Sequence, residues 1–318
     1  MCSGRTNVGG FRVRVVTRIV KSVKGFGREF YRRHGQHATP CPLARIGIAL
    51  GGGFARGIAH IGVLKVLEEE NIAIQFVAGT SVGALIGAIY CSGASAAEME
   101  EIACRVRFRD FARWTISRYG FASNRRMTGL LNNVLKVKSF EELRIPLAVA
   151  TTDFASGTGV IFQSGPLVQP VRASCAYPGM FEPIRIAEKI LVDGMLAHPV
   201  PTKPLRDMGA NRVLAVHLRG RWDVGGVPRH LFDVIGQCFA IAQENSAALW
   251  RPWTDLVIEP EVKGFRYDDF EHSCELIRAG EAAMRAALPE VRAWLNASSP
   301  STSLSTRAMP DPAGVPAD

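Results

Sequence analysis

Ser81 is the residue in this 318-residue chain best placed to do chemistry. It stands in Gly79-Thr80-Ser81-Val82-Gly83, which fits the pattern G-x-S-x-G. In that pattern a serine sits on a sharp strand-to-helix turn that pushes its hydroxyl clear of the sheet. The helix N-terminus behind it favours developing negative charge. Gly79 and Gly83 permit the tight backbone and its close passage past neighbours. A hydroxyl nucleophile needs a base for its proton and N–H donors for the oxyanion that forms on a carbonyl. Candidates for both exist. Gly51-Gly52-Gly53-Phe54-Ala55-Arg56-Gly57 lies one strand-helix unit upstream, and Asp193-Gly194 closes a later strand. The pentapeptide alone also fits a turn that merely packs a helix on a strand, so its context decides.

That context is a run of strands and helices. Ile46 to Leu50 reads as a first strand, entering the glycine loop, and Ile58 to Glu70 reads as the helix after it. A glycine loop in that position offers backbone N–H groups to an anion. It is no Walker loop, because no Gly-Lys-Ser/Thr follows. It also fails the dinucleotide pattern, since Arg56 or Phe54 falls where a glycine is needed. The remaining reading is an oxyanion loop for Ser81. Ile72 to Ala78 reads as the strand before the turn, and Ala84 to Tyr90 as the helix after it. Ser95-Ala96-Ala97-Glu98 is a capping box that opens another helix.

Residues 105–141 mix arginines with aromatics and read as a helical surface insert, with a lid or lipid-facing surface as the alternative. Pro146 to Thr151, Gly159 to Gln163, Arg185 to Val192 and Leu214 to Leu218 read as strands. Leu231 to Trp250 and Cys274 to Leu295 read as helices. Asp153 suits either a turn or the orientation of a site group. Alternating strands and helices imply an α/β fold with a largely parallel central sheet.

Composition narrows the classes. The apolar content of 47% against 21% charged is that of a globular chain with a sizeable core. The net charge of +9 sits at one end: residues 1–45 carry ten Lys/Arg and one acid, and the rest balances 28 against 28. Residues 11–33 place Val16, Ile19, Val20, Val23, Phe26 and Phe30 at helical spacing among Arg and Lys. A basic amphipathic helix reads as an element for an anionic membrane surface. Packing on the body and a transit peptide are the alternatives. A nucleic-acid arm is not expected, because no binding fold follows.

The seven cysteines are scattered without a C-x-x-C, so they read as reduced thiols in a cytosolic compartment, with no disulfide frame and no zinc site. No secretory signal is recognisable. The long uncharged run Ile72 to Ala97 is split by Gly79, Gly83, Gly87 and Gly93 into strand, turn and helix, and does not read as a membrane span. The expected organisation is an arm and linker over 1–42, one domain over 43–296 and a disordered tail over 297–318. The expected location is cytoplasmic, peripheral at the inner face of the membrane.

Three blocks together resemble the patatin-like phospholipases of bacteria. They are Leu50 to Leu64, with its Gly-Gly-Gly-Phe-Ala-Arg-Gly; Gly79 to Gly83; and Arg172 to Pro201, with Arg-Ala-Ser, Pro-Gly-x-Phe, Asp-Gly and Pro-Val-Pro. The resemblance spans roughly residues 45–290. It implies a three-layer α/β/α sandwich and a lipid acyl hydrolase that works through a Ser81-Asp193 dyad without metal or cofactor. It also implies an oxyanion hole within Gly51, Gly52, Gly53, Phe54, Arg56 and Gly57, with Gly52, Gly53 and Phe54 as donors. Gly194 shapes the carboxylate loop, and a phospholipid or lysophospholipid is the implied substrate. Arg56 either braces the loop or meets a phosphate, and His60 packs or caps. Two positions depart from the family: Phe54 stands where a fourth glycine is frequent, and Met195 where Gly or Ala usually follows Asp-Gly. The competing readings are an α/β-hydrolase triad using His217, His230 or His272, a Ser-His pair using His198, and a catalytically silent lipid-binding module.

Deleting residues 1–40 is expected to weaken binding to anionic vesicles, since each basic residue near such a surface contributes about 1 kcal/mol. Co-sedimentation at low and high salt measures it. Equal pelleting of full-length and truncated protein at low salt would make the arm a packing helix.

Overall fold

The computed structural model describes residues 44–111, 113–117, 120–219, 227 and 231–297. The basic arm, His230 and the tail from residue 298 lie outside them. The strands are β1 (Ile46–Leu50), β2 (Phe76–Thr80), β3 (Arg113–Ser117), β4 (Gly120–Ser123), β5 (Leu147–Asp153), β6 (Gly159–Phe162), β7 (Ile184–Ile186), β8 (Lys189–Asp193), β9 (Arg212–Val216) and β10 (Leu256–Ile258). The helices are α1 (Ala59–Glu69), α2 (Val82–Cys91), α3 (Ala96–Arg105), α4 (Phe108–Phe111), α5 (Arg126–Val134), α6 (Val168–Ser174), α7 (Thr202–Asp207), α8 (Leu231–Asn245), α9 (Ala247–Trp250) and α10 (Ser273–Ala297).

One sheet runs in the order β10-β9-β1-β2-β5-β8-β7, with β6 also paired to β5. From β10 to β5 the pairs are parallel; β6, β8 and β7 add antiparallel pairs at the far side. Alternation along each strand divides the core into two faces. Ile46, Ile48, Leu50, Val77, Leu147, Val149, Leu214 and Val216 pack into the larger cluster, with α1, α2, α3 and α10. Ala49, Ala78, Ala148, Val213 and Ala215 point the other way, towards Leu205 of α7 and Trp250. Helices on both faces of a mostly parallel sheet make a three-layer α/β/α sandwich, as expected.

The strand β1 lies where the sequence placed it. β2 begins later than expected, at Phe76, and extends to Thr80, because the chain turns at Glu70 and Asn71 and Ile72 to Gln75 lead into the strand without regular structure. The expected single strand from Arg185 to Val192 is a hairpin. Ala187 adopts φ 51° and turns the chain between β7 and β8. The expected helix to Trp250 breaks at Ser246 into α8 and α9. The insert contains the β3–β4 hairpin as well as helix, and β10 was not anticipated. The Ser95 capping box is present in full, with Ser95 Oγ accepting from Glu98 N–H and Glu98 accepting from Ser95 N–H.

The packing of α1 on α10 uses two glycines. A Cβ on Gly62 would run into the carbonyl of Ile277, and one on Gly280 into the carbonyl of Ala59. The two helices therefore touch through their backbones. Lys65 of α1 closes the crossing with Glu281 at 2.9 Å and Glu100 of α3 at 2.8 Å. A branched side chain has no flexible neighbour to displace there, and overpacking of this kind costs about 1–3 kcal/mol or more. Gly280→Val is expected to lower the urea midpoint markedly, whereas Ala282→Val nearby is expected to leave it within error. Equal midpoints for parent and Gly280→Val would show that the helices separate freely.

Candidate active site

Ser81 follows β2 directly and is the N-cap of α2. Its backbone lies at φ 56°, ψ −125°, a region costly for a residue with a side chain, at about 1–3 kcal/mol. Close packing enforces that conformation. A Cβ on Gly83 would collide with the Leu50 carbonyl, and one on Gly79 with the Ala84 backbone at 2.5 Å. A Cβ on Gly57 would strike the Val82 side chain. The three glycines let β1, the loop and α2 press together until only a sharp elbow fits. The Ser81 N–H donates to Ser174 Oγ at 2.8 Å, and Ser174 passes its own proton to the Ala150 carbonyl at 2.6 Å. Ser174 therefore anchors the elbow to β5. Its Arg-Ala-Ser block was recognised in the sequence, but nothing there assigned it this contact.

The sheet register brings Asp193 to the serine. Thr80 pairs with Ala150, so Ser81 falls level with Thr151, and Thr151 pairs on its other side with Asp193. The two residues flank one strand, near enough for side chains to meet across it. Asp193 is fully buried. Its Oδ1 accepts the Met195 N–H at 3.0 Å. Its backbone is held by Thr152 Oγ1, which donates to the Asp193 carbonyl at 2.9 Å, and by the Ala176 carbonyl, which accepts its N–H at 3.0 Å. Burial pushes the carboxyl up to about 7, against the opposing pull of the Ser81 hydroxyl and the Met195 N–H. Ser81 approaches closely enough to act on the charge. Yet Oδ2 receives no hydrogen bond of ordinary geometry among the described residues. Such contacts in empty sites commonly tighten when substrate arrives. A Cβ on Gly194 would meet the Ala150 carbonyl, so the chain leaving Asp193 requires a glycine there.

The glycine loop covers the serine. A Cβ placed on Gly52 would sit 3.5 Å from Ser81 Cβ. The amides of the loop are unequal. Gly51 N–H bonds the Val216 carbonyl at 3.1 Å, prolonging the sheet, so it is occupied, in keeping with its absence from the expected donors. Gly52 N–H reaches the Pro199 carbonyl at a long 3.3 Å. Gly53 N–H carries no hydrogen bond among the described residues and is the amide best placed to donate to an oxyanion. His60 braces the loop from below: its Nε2–H donates to the Gly51 carbonyl at 2.8 Å, and burial lowers the ring to about 4, keeping it neutral. Arg56 is buried, with Nε donating to the Phe265 carbonyl at 2.8 Å, and burial lowers it to about 10. That bond ties the loop to the segment before α10, and Arg56 also borders a cavity beside Ser81.

Phe54 takes φ 52°, where a glycine would be unstrained. Its ring packs edge-on against Tyr177 at 4.7 Å and Tyr267 at 5.9 Å. It stands between two cavities that both open on Ser81. The larger, about 120 Å³, is lined almost wholly by apolar side chains, among them Leu85, Ile89, Met99, Val106 and Leu130. The smaller, about 30 Å³, is bordered by Gly53, Arg56, Met195 and Gln243. Sequence periodicity gave no hint of either, because their walls come from elements far apart in the chain.

The histidines lie elsewhere. The His198 ring fills the space beside Gly159, while its carbonyl accepts the Thr80 hydroxyl at 2.6 Å. His217 pairs with Glu259 at 3.3 Å, and His272 with Asp269. No described histidine hydrogen-bonds Ser81 or Asp193. Asp153 makes a turn, accepting the Ala155 N–H at 3.1 Å and pairing with Lys189 at 3.2 Å. Among the described residues no helix is long and apolar enough to cross a membrane.

The fold and the site together define an α/β sandwich with a serine on a nucleophile elbow, a buried carboxylate across one strand and a glycine loop above it. The family model for patatin-like phospholipases matches residues 48–206, half of the chain, and the chain belongs to that family. An uncharacterised NTE family protein of Mycobacterium tuberculosis is 32% identical over 191 residues, covering 55% of this chain and 49% of that protein. Patatin-like phospholipase domain-containing protein 6 of Homo sapiens is 30% identical over 263 residues, covering 74% of this chain and 18% of the relative. The chain thus spans about half or less of the length of these relatives. The crystal structure of VipD from Legionella pneumophila superposes with a TM-score of 0.55 at 14% identity, covering 79% of this chain and 67% of that one, a likeness of fold.

The carboxyl and the histidines differ in what they predict. A base acts when deprotonated, so activity should rise with pH through about 7, where burial has placed Asp193. Asp193→Asn is expected to cut ester turnover by about 10³-fold or more, and His198→Asn by less than about threefold. Burial of the charge also opposes folding above that pH. The folded carboxyl holds its proton more tightly than the unfolded one, so stability falls as pH rises from about 4 to about 7. Asp193→Asn should therefore melt higher than the parent at pH about 8. Pre-steady-state acylation and melting curves across pH check both statements, and the reverse ranking of the two variants would favour a Ser-His pair.

Proposed function

We propose that this chain is a lipid acyl hydrolase that cleaves carboxylic esters of phospholipids or lysophospholipids through Ser81 and Asp193. The observation that carries this reading is the placement of Ser81 between a buried, near-neutral carboxyl and an apolar cavity of about 120 Å³. Asp193 takes the Ser81 proton as Oγ attacks the ester carbonyl, and the alcohol portion leaves with that proton. The acyl-enzyme is then hydrolysed by a water that Asp193 deprotonates in turn. The oxyanion is held by the Gly53 N–H, joined by its loop neighbours as they settle around substrate, under the positive end of α2. One such donor contributes about 10²–10³ in turnover.

The acyl chain occupies the larger cavity, whose apolar walls give a hydrocarbon a dry environment, and the leaving group faces the smaller, more polar one beside Arg56. Membership of the patatin-like phospholipase family supports a lipid ester as substrate. A relative named Lysophospholipase NTE1, from Mycosarcoma maydis, is 31% identical over 232 residues, which favours lysophospholipids among the candidates. The basic arm of residues 11–33 brings the domain to an anionic lipid surface on the cytoplasmic side of the membrane.

Ser81→Ala is expected to abolish hydrolysis across a panel of phospholipids, lysophospholipids and neutral esters while leaving the melting temperature near that of the parent. A fluorophosphonate probe should label the parent alone. Labelling of both proteins to the same extent, or turnover that survives the substitution, would sink the assignment.

A further inference from the structure

Cys104, in the last turn of α3, and Cys274, in the first turn of α10, are 170 residues apart in the chain. Their Sγ atoms stand 3.5 Å from each other. Among the described residues the other cysteines differ: Cys91 and Cys175 are buried and Cys238 is exposed, and none has a second thiol at hydrogen-bond distance. Cys104 is half-buried and Cys274 exposed, so a small reagent reaches the pair. The backbone around them is already fixed. Ser273 Oγ shares its proton between the carbonyls of Ala103 at 3.0 Å and Phe270 at 2.9 Å, which pins the start of α10 to the end of α3 one residue from each thiol. A disulfide needs its sulfurs at about 2.05 Å, a closure of about 1.5 Å that side-chain rotation can supply.

We propose that Cys104 and Cys274 form a dithiol modification site, oxidised by a low-molecular-weight disulfide such as glutathione disulfide to an intramolecular bond that clasps α3 to α10. One protein thiolate attacks a sulfur of the reagent, forming a mixed disulfide and expelling one glutathione thiolate. The second protein thiolate attacks the protein sulfur of that mixed disulfide and expels the other glutathione. Two electrons pass from the protein thiols to the reagent, and their two protons end on the two released glutathiones. The second step is intramolecular, so the mixed disulfide is short-lived.

The clasp lies beside the larger cavity. Met99, Ala103 and Val106 of the α3 region and Phe270 before α10 belong to its wall. At about 120 Å³ the cavity is near the size that, at about 150 Å³, takes a benzene-sized guest, so a long acyl chain enters only as its walls part. Joining α3 to α10 restrains that parting. This consequence rests on the ester-hydrolase reading of Ser81; the disulfide itself does not.

The test uses full-length protein, reduced, desalted and treated with glutathione disulfide. Non-reducing peptide mapping should show Cys104 linked to Cys274, with a melting temperature several degrees higher that dithiothreitol reverses. Cys104→Ser and Cys274→Ser should each instead hold a glutathione on the remaining cysteine and gain no stability. The ratio of p-nitrophenyl palmitate to p-nitrophenyl acetate turnover should fall several-fold on oxidation of the parent, and stay constant in the double serine variant. Stable glutathione adducts on Cys104 or Cys274 of the parent, or a dominant link to another cysteine, would overturn the site. A mapped link with an unchanged ester ratio would overturn its action on the cavity. If the reduced parent cleaves neither ester, the hydrolase reading fails and the peptide map alone decides the site.

Discussion

The carboxyl of Asp193 is buried with no cation to balance it among the described residues, and the candidate site depends on that arrangement. An unpaired buried charge is costly, so the group resolves the conflict by binding its proton more tightly, which moves it to about 7. One backbone N–H from Met195 and the hydroxyl of Ser81 are enough to keep ionisation within reach near neutral pH, and too little to hold the carboxyl ionised as an arginine would. Among the described residues the groups that fix Asp193 are backbone or neutral hydroxyl: Thr152, Ala176, the Met195 N–H and the antiparallel pairing of β8 with β5.

The elbow shows a second balance. Ser81 and Phe54 both occupy backbone regions that side chains avoid. The compensation is dispersed over the packing of β1, β2 and α2, where glycines let main chains approach more closely than any side chain would allow. Strain at the nucleophile is thus sustained by residues that take no part in chemistry. His60 and Arg56 extend the same principle to the loop above. Both are titratable side chains within a turn of a candidate oxyanion hole, and each donates one ring or guanidinium N–H to a backbone carbonyl.

Phe54 and Met195 give this chain its local character. Phe54 borders both cavities that open on Ser81, and Met195 borders the smaller one. The Phe54 ring stands where the two compartments of unequal size meet. The hydrophobic compartment is built by α1, α2, α3, α5 and the segment around Tyr177, so its dimensions follow from helix packing and not from any single loop.

The sequence by itself determined the parts that are local. Gly51 to Gly57, Gly79 to Gly83 and Asp193-Gly194 were legible because a nucleophile elbow and a strand-loop-helix are specified by neighbours in the chain, through glycine geometry and short apolar runs. The strand Ile46–Leu50 and the Ser95 capping box were legible for the same reason. Other features exist only through contact between distant segments. The hairpin turn at Ala187 is set by pairing with β5, which a run of mixed polarity does not announce. The engagement of the Gly51 N–H in the sheet follows from β9 lying beside β1, and the role of Ser174 from α6 packing behind the elbow. The level of Ser81 against Asp193 is decided by two strand registers that meet at Thr151. Residue type sets which chemistry is possible at a position, while burial and register, which are properties of the whole sheet, set the ionisation and the distance that chemistry requires.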